Sequence, residues 1–107
     1  MRRSLSWVFV LSVVLPGCSA SSDLRQLCEL SQEVLADANV AKPHKVATIH
    51  ERFDKPTRSS AARKCVMASL GSNLPPAQKY DALEQCAREV GSSDWTCAPL
   101  REFLKNP

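Results

Sequence analysis

The chain has 107 residues, with 14 lysines and arginines against 11 aspartates and glutamates, which gives a formal net charge of +3 at pH 7. This length is enough for one domain and too short for two separate hydrophobic cores. Acidic and basic side chains alternate along the sequence, whereas a nucleic-acid-binding protein usually carries a stripe of basic charge, so we expect no binding to nucleic acid.

The leader, residues 1–17, has the features of an export signal. Two arginines near the amino terminus give a positive start, and a mostly apolar segment, Trp7–Leu15, follows. As a helix this segment would be about 14 Å long, whereas a membrane-spanning helix needs roughly 20 residues to cross about 30 Å of hydrocarbon. We expect Pro16 and Gly17 to end the helix before Cys18 and to expose the backbone to a protease. The sequence therefore predicts a signal peptide over these residues.

Cys18 follows the leader in a distinctive context. The sequence Leu15-Pro16-Gly17-Cys18 resembles the lipobox of bacterial lipoproteins, with an aliphatic residue three positions before the cysteine and a small residue immediately before it. The resemblance covers the leader and Cys18 only. It implies that the Cys18 thiol receives a diacylglyceryl group, that the leader is removed, and that Cys18 becomes an acylated amino terminus. Two or three acyl chains anchor a protein stably, so the resemblance implies membrane attachment through Cys18.

The final location depends on how the leader is processed. Ser19 follows the cysteine, where an Asp implies inner-membrane retention in enteric relatives, so the resemblance implies the outer membrane, facing the periplasm. Residues 18–22 would then be a short lipidated tether before the folded domain, 23–107. Alternatively, Cys18-Ser19-Ala20 has small residues where an ordinary signal peptidase needs them, and cleavage after Ala20 would release a soluble periplasmic or secreted protein.

Four further cysteines follow: Cys28, Cys65, Cys86 and Cys97. An even number of cysteines in a small exported domain is typical of disulfides. The spacing contains no C-x-x-C motif and no paired zinc-ligand pattern, so we expect no metal, haem or other cofactor. Loop closure gives about 4.4 plus 3.4 kcal/mol for Cys28 to Cys97 with Cys65 to Cys86, against about 3.9 plus 2.8 kcal/mol for sequential pairing, which does not decide between them. An antiparallel hairpin of the third and fourth helices would bring Cys65 near Cys86, so we prefer the first pairing.

Apolar residues recur at three- and four-residue steps after the leader, and no stretch alternates with a period of two, so we predict an all-α fold. The expected domain is a small bundle of about four helices plus a short carboxy-terminal helix. Asp23 is expected to open the first helix, with Ser21 or Ser22 as its cap. The other helices are predicted to start at Pro43, within Thr57–Ser60, at Pro75-Pro76 and at Pro99, and the first four to end near Asn39, Lys55, Gly71 and Gly91. We expect Gly71 to adopt the left-handed conformation.

Few residues have the spacing of a catalytic or binding site. His44 and His50 are six residues apart, which places them on different faces of a helix, so they are poor joint metal ligands. His50 lies one turn from Asp54. It is therefore either a histidine at the rim of the core with a carboxylate neighbour or a base in a pocket. Trp95 either packs over the disulfide of Cys97 or anchors a partner at the surface. We predict no catalytic residue and take Trp95 and His50 as candidate interaction residues.

Two classes of function remain open. The first, which we favour, is a noncatalytic cell-envelope lipoprotein that is anchored through Cys18 and binds another envelope protein, with an inhibitor or immunity protein as a special case. The second is a small-ligand carrier or an enzyme with a pocket between helices, using His50 and Asp54. An apolar cleft of several hundred Å³ near His50 would favour the second class, and a filled bundle would count against it.

Overall fold

A computed structural model describes residues 6–106, with side chains from residue 20 onward. The helices are α1 (Ser6–Ala36), α2 (Lys45–Phe53), α3 (Ser60–Ser69), α4 (Pro76–Glu89) and α5 (Ala98–Lys105), and a short 3₁₀ turn, Lys42–His44, precedes α2. This part of the chain contains no strand, so the predicted all-α class is confirmed. None of the helices within residues 6–106 is both long and apolar enough to cross a membrane.

The core lies between the five helices and is built from side chains spaced at three and four residues. The largest fully buried side chains are Tyr80, Phe53, Leu24, Leu27, Ile49, Leu83, Leu100 and Leu104. Burying each aliphatic or Phe side chain of this kind is worth roughly 1.5–3 kcal/mol relative to leaving it in water. Two alanines that the periodicity places on buried faces, Ala38 and Ala61, are exposed.

One end of the bundle joins α1 to the loops before α3 and before α5. The Asp23 carboxylate accepts a hydrogen bond from the Ser59 backbone N–H at 2.7 Å, and Ser21 Oγ lies 2.6 Å from Ser92 Oγ. Ser59 also caps α3, within the predicted start Thr57–Ser60, because its hydroxyl accepts a hydrogen bond from the Ala62 N–H. Both loops are therefore fixed to α1. We call this the proximal end: residues 20–25, 57–60 and 91–97.

The opposite end carries the last turn of α1, the starts of α2 and α4, and the end of α5. Lys45 is buried there, and its ammonium donates hydrogen bonds to the carbonyl oxygens of Val34 at 3.0 Å and Asp37 at 2.9 Å. A positive charge is favourable at this position because the carboxy-terminal end of a helix dipole is negative. Helices α1, α3 and α5 run towards this end, and α2 and α4 run back. We call it the distal end: residues 34–46, 70–79 and 103–106.

Two disulfides cross-link the helices. Cys28 in α1 bonds to Cys97 with the Cα atoms 5.5 Å apart, and Cys65 in α3 bonds to Cys86 in α4 with the Cα atoms 5.6 Å apart. The preferred pairing is confirmed. The first bond joins residues 69 positions apart in the sequence and the second joins residues 21 positions apart. Together they fix the start of α5 to α1 and hold α3 and α4 as a pair.

Helix α1 differs from the prediction at its start. It is continuous over Ser6–Ala36, so the break predicted at Pro16 and Gly17 is wrong, and no new helix with a serine cap begins after the leader. A proline inside a helix removes one backbone hydrogen bond while the turns on either side keep theirs, so the helix does not have to end there. Residues 18–22, which we expected to form a tether, are therefore part of α1.

The left-handed glycine predicted after α3 is also wrong. Gly91, which follows α4, has a φ of 96°, whereas Gly71 does not have a positive φ. A Cβ atom at position 71 would lie 2.6 Å from Cε1 of His50, while a Cβ atom at position 91 would meet nothing within 4 Å. Gly71 is therefore required for the close approach of a side chain from α2, and Gly91 for a backbone turn.

Candidate functional site

Trp95 is held at the proximal end by two specific contacts. Its indole N–H donates a hydrogen bond to the carbonyl oxygen of Leu24 at 2.8 Å, and its ring stacks on Tyr80 with the centroids 6.3 Å apart. The side chain is half-buried against the core, two residues before the disulfide-bonded Cys97. Trp95 therefore ties the loop before α5 to α1, and part of its side chain stays exposed at the surface.

Tyr80 holds the same loop from the other side. Its hydroxyl accepts a hydrogen bond from the backbone N–H of Cys97 at 3.0 Å and donates one to the Glu84 carboxylate at 2.7 Å. Burial raises the pKa of Tyr80 to about 12; the hydrogen bond from Cys97 acts in the opposite direction, and the Glu84 carboxylate adds to the increase. The neutral phenol is therefore strongly favoured, and it acts as a hydrogen-bonded support for the start of α5.

His50 packs against the backbone rather than facing a pocket with Asp54. It is half-buried in α2, and its ring lies so close to Gly71 that no larger residue fits there. The Asp54 carboxylate accepts a hydrogen bond from Arg63 Nε at 3.0 Å, on the neighbouring helix α3. The expected pairing of His50 with Asp54 is therefore replaced by two separate contacts, each of which joins α2 to the α3 region.

A cleft of ≈ 430 Å³ opens at the proximal end beside Trp95. Hydroxyl groups and two oppositely charged side chains form its walls. The lining residues are Ser21, Arg25, Gly91, Ser92, Ser93, Asp94, Trp95 and Thr96. We call it the proximal cleft. Arg25 and Asp94 are both exposed, so this surface offers a hydrogen-bond donor for an anion and an acceptor for a cation at the same time.

A second depression, of ≈ 350 Å³, lies at the distal end and is mostly apolar. Three helix ends meet there, and two lysines stand at its border. The lining residues are Lys42, Pro43, Val46, Pro76, Lys79, Phe103 and Leu104. We call it the distal groove. The Lys79 ammonium donates hydrogen bonds to the carbonyl oxygens of Leu70 and Ser72, which keeps this charge beside the apolar surface.

The sequence analysis missed the distal groove because its residues come from three separate parts of the chain. The residues in the sequence that could have indicated the groove were Pro43 and Pro76, which start helices and leave apolar rings at the helix ends. Proline at a first helical position is common for conformational reasons alone, so neither residue by itself indicates a binding surface. The groove also lies around Val46, one turn from His50, rather than at His50 itself.

The position of Cys18 is known only as a helical residue of α1, because its side chain lies outside the described side chains. Among residues 20–106, no group of three or more His, Cys, Asp or Glu side chains is arranged to hold a metal ion. No protein-family model, curated protein or solved structure matches the chain. The proximal cleft, the distal groove and the course of α1 are therefore the features from which a function can be inferred.

We expect Gly71→Ala to destabilise the protein by about 1–3 kcal/mol, because the added methyl group collides with the His50 ring. Removing the ring with His50→Ala should recover part of this loss in the double variant. Gly91→Ala is the control: its cost of about 1–2 kcal/mol comes from the backbone conformation, so His50→Ala should not change it. Urea unfolding of all variants measures these differences, and equal effects of His50→Ala on both glycine variants would contradict the contact.

Tyr80 is the only tyrosine in the chain, so tyrosinate absorbance reports on it alone. We expect the folded protein to titrate near pH 12 and the unfolded chain near the ordinary value of about 10. Between these values the unfolded chain loses the proton and the folded protein keeps it, so the free energy of unfolding should fall as the pH rises. Tyr80→Phe should remove this fall. Titrations with the same midpoint in buffer and in denaturant would show that the phenol is not buried.

Proposed function

We propose that the protein is a lipid-anchored component of the cell envelope whose helical domain binds another protein and catalyses no reaction. Acyl chains on Cys18 attach it to the membrane, and Ser19 favours the outer membrane, on the periplasmic side. The two disulfides support this proposal, because such bonds persist in oxidising compartments and are rare in the cytosol. They would support a soluble periplasmic protein cleaved after Ala20 equally well, so the anchor rests on the lipobox.

The distal groove is the observation that carries the binding role. It lies at the far end of α1 from Cys18, so a lipid anchor leaves it open to the surroundings. Its surface combines the apolar side chains of Val46 and Phe103 with the charges of Lys42 and Lys79. This combination fits a partner segment that has an apolar side chain for the groove and an acidic side chain for the lysines.

His50 and Asp54, which were considered for catalysis, have structural partners instead, and so does Tyr80, which supports a noncatalytic role. His50 fills the space above Gly71, and Asp54 is paired with Arg63. Tyr80 is a neutral hydrogen-bonded phenol in the core. A volume of ≈ 350 Å³ also falls in the range of small-molecule pockets. A small amphiphilic acid is therefore the second candidate for the occupant of the distal groove.

The anchor is tested by the intact mass of the mature protein purified from the membrane fraction. We expect a mass that corresponds to a chain beginning at Cys18 with two or three acyl groups. The variant Cys18→Ser removes the thiol that would carry the diacylglyceryl group and should leave no acylated product. A mature wild-type chain that begins at Ser21 and appears in the soluble fraction would refute the anchor and favour the ordinary signal peptide.

The distal groove is tested with a photoreactive amino acid placed at Lys42. We expect a discrete adduct with one protein, joined at a segment that contains both apolar and acidic residues. The same photoreactive residue at Gln85, an exposed position on α4 outside the groove lining, is the control and should not give this adduct. Identical adducts from the two positions would contradict the groove as the binding surface, and an adduct with a small acid alone would favour the second candidate.

A further inference from the structure

The folded domain begins almost at the lipidation site. Only Ser19 and Ala20 separate Cys18 from Ser21, and all of these residues lie within helix α1. The next residue, Ser21, already contacts the α4–α5 loop through Ser92. Even if α1 unwound as far as Ala20, two residues of extended chain would reach only about 7 Å. The proximal end therefore cannot move far from whatever holds Cys18.

The proximal cleft combines charged and hydroxyl groups with the ring of Trp95. The proximal cleft presents hydroxyl groups from Ser92, Ser93 and Thr96, together with the guanidinium of Arg25 and the carboxylate of Asp94. A guanidinium and neighbouring hydroxyl groups are the usual donors to a phosphate. The charges of Arg25 and Asp94 suit the hydrated head-group region of a bilayer and would be costly to insert among acyl chains.

From this reach and this chemistry, and relying on the lipid anchor proposed above, we propose that the proximal end rests directly on the head-group layer of the membrane. Arg25 and the hydroxyl groups of Ser93 and Thr96 then donate hydrogen bonds to lipid phosphates. The head-group region is roughly 5–8 Å thick on each side of the hydrocarbon, which matches the reach from Cys18. The partner of this surface is a phospholipid bilayer, and no second protein is needed to orient the domain.

The charge of the proximal cleft indicates which lipids can support this contact. Arg25 and Asp94 together carry no net charge, so the surface gains little from an excess of anionic lipid. Long-range attraction between a charged protein and an anionic bilayer falls steeply with added salt, whereas a covalently anchored surface stays in place. We therefore expect the same arrangement on zwitterionic phosphatidylcholine vesicles and at high salt.

This arrangement sets the direction of the distal groove. The helical rise over the 16 steps from Ala20 to Ala36 is about 24 Å, so α1 separates the two ends of the bundle by that distance. With the proximal end on the membrane, the distal groove opens away from the lipid. A partner then approaches from the aqueous side and does not compete with the bilayer for the same surface.

Trp95 provides the readout, because it lines the proximal cleft and the chain's other tryptophan, Trp7, lies in the leader. The mature lipidated protein is reconstituted into phosphatidylcholine vesicles that carry a nitroxide either on the head group or deep in an acyl chain. We expect the head-group nitroxide to quench Trp95 fluorescence and the deep nitroxide to have little effect. Quenching should persist at high salt.

A spacer variant tests whether the short connection holds the domain in place. Ten glycine and serine residues are inserted between Ser19 and Ala20, which gives a flexible linker with an end-to-end distance of about 18 Å. We expect the head-group quenching to be lost while the helical circular dichroism spectrum stays unchanged. The same quenching in the spacer variant would overturn the role of the short connection.

The phosphate contact is tested by Arg25→Ala, with Gln78→Glu as the control. Both changes lower the net charge by one, but Gln78 is exposed on the opposite side of the bundle, at the distal end. We expect weaker head-group quenching with Arg25→Ala and no change with Gln78→Glu; equal quenching in both would overturn the phosphate contact. A lipidated wild-type protein whose Trp95 is not quenched would overturn the contact between the proximal end and the head groups but not the anchor. A mature protein without acyl chains would refute the anchor as well.

Discussion

The disulfide between Cys28 and Cys97 is the constraint on which the rest of the structure depends. It fixes the start of α5 to α1 across most of the sequence. An isolated helix of eight residues is unstable in water, so α5 can persist only because its position is held by other parts of the molecule. Tyr80 and Trp95 reinforce the same junction through hydrogen bonds to Cys97 and Leu24. Without α5, the distal groove would lose the wall formed by Phe103 and Leu104.

Much of this fold could be predicted from the sequence because its determinants are local. The starts of α3, α4 and α5 followed from serine and proline positions, most helix faces followed from three- and four-residue spacing, and the Cys65–Cys86 bond followed from a hairpin of adjacent helices. Gly91 obeys the local rule for helix ends: the Ser92 N–H bonds to the Ala87 carbonyl at 2.8 Å, and Gly91 takes the positive φ between them. Residues that are close in the sequence are enough to specify these features.

The remaining features depend on contacts between distant residues, and the sequence pattern does not contain them. Gly71 resembles Gly91 in its place after a helix, but the ring of His50 determines its role. Lys45 would ordinarily be assigned to the surface, yet it is buried because two carbonyl groups at the end of α1 satisfy its ammonium. The distal groove is likewise visible only once three helix ends have been brought together.

The continuity of α1 has a further consequence for binding. A domain on a long flexible tether would lose rotational freedom when a partner held it, and that loss would reduce the affinity. A domain joined to its anchor through one residue next to a helix has already lost most of that freedom. In the lipid-anchored form proposed above, the anchor and the contacts of the proximal end would meet this cost, and it would not have to be met again at the distal groove. In that proposed form, the distal groove with its two lysines would bind a partner at the membrane more tightly than the isolated domain would bind the same partner in solution.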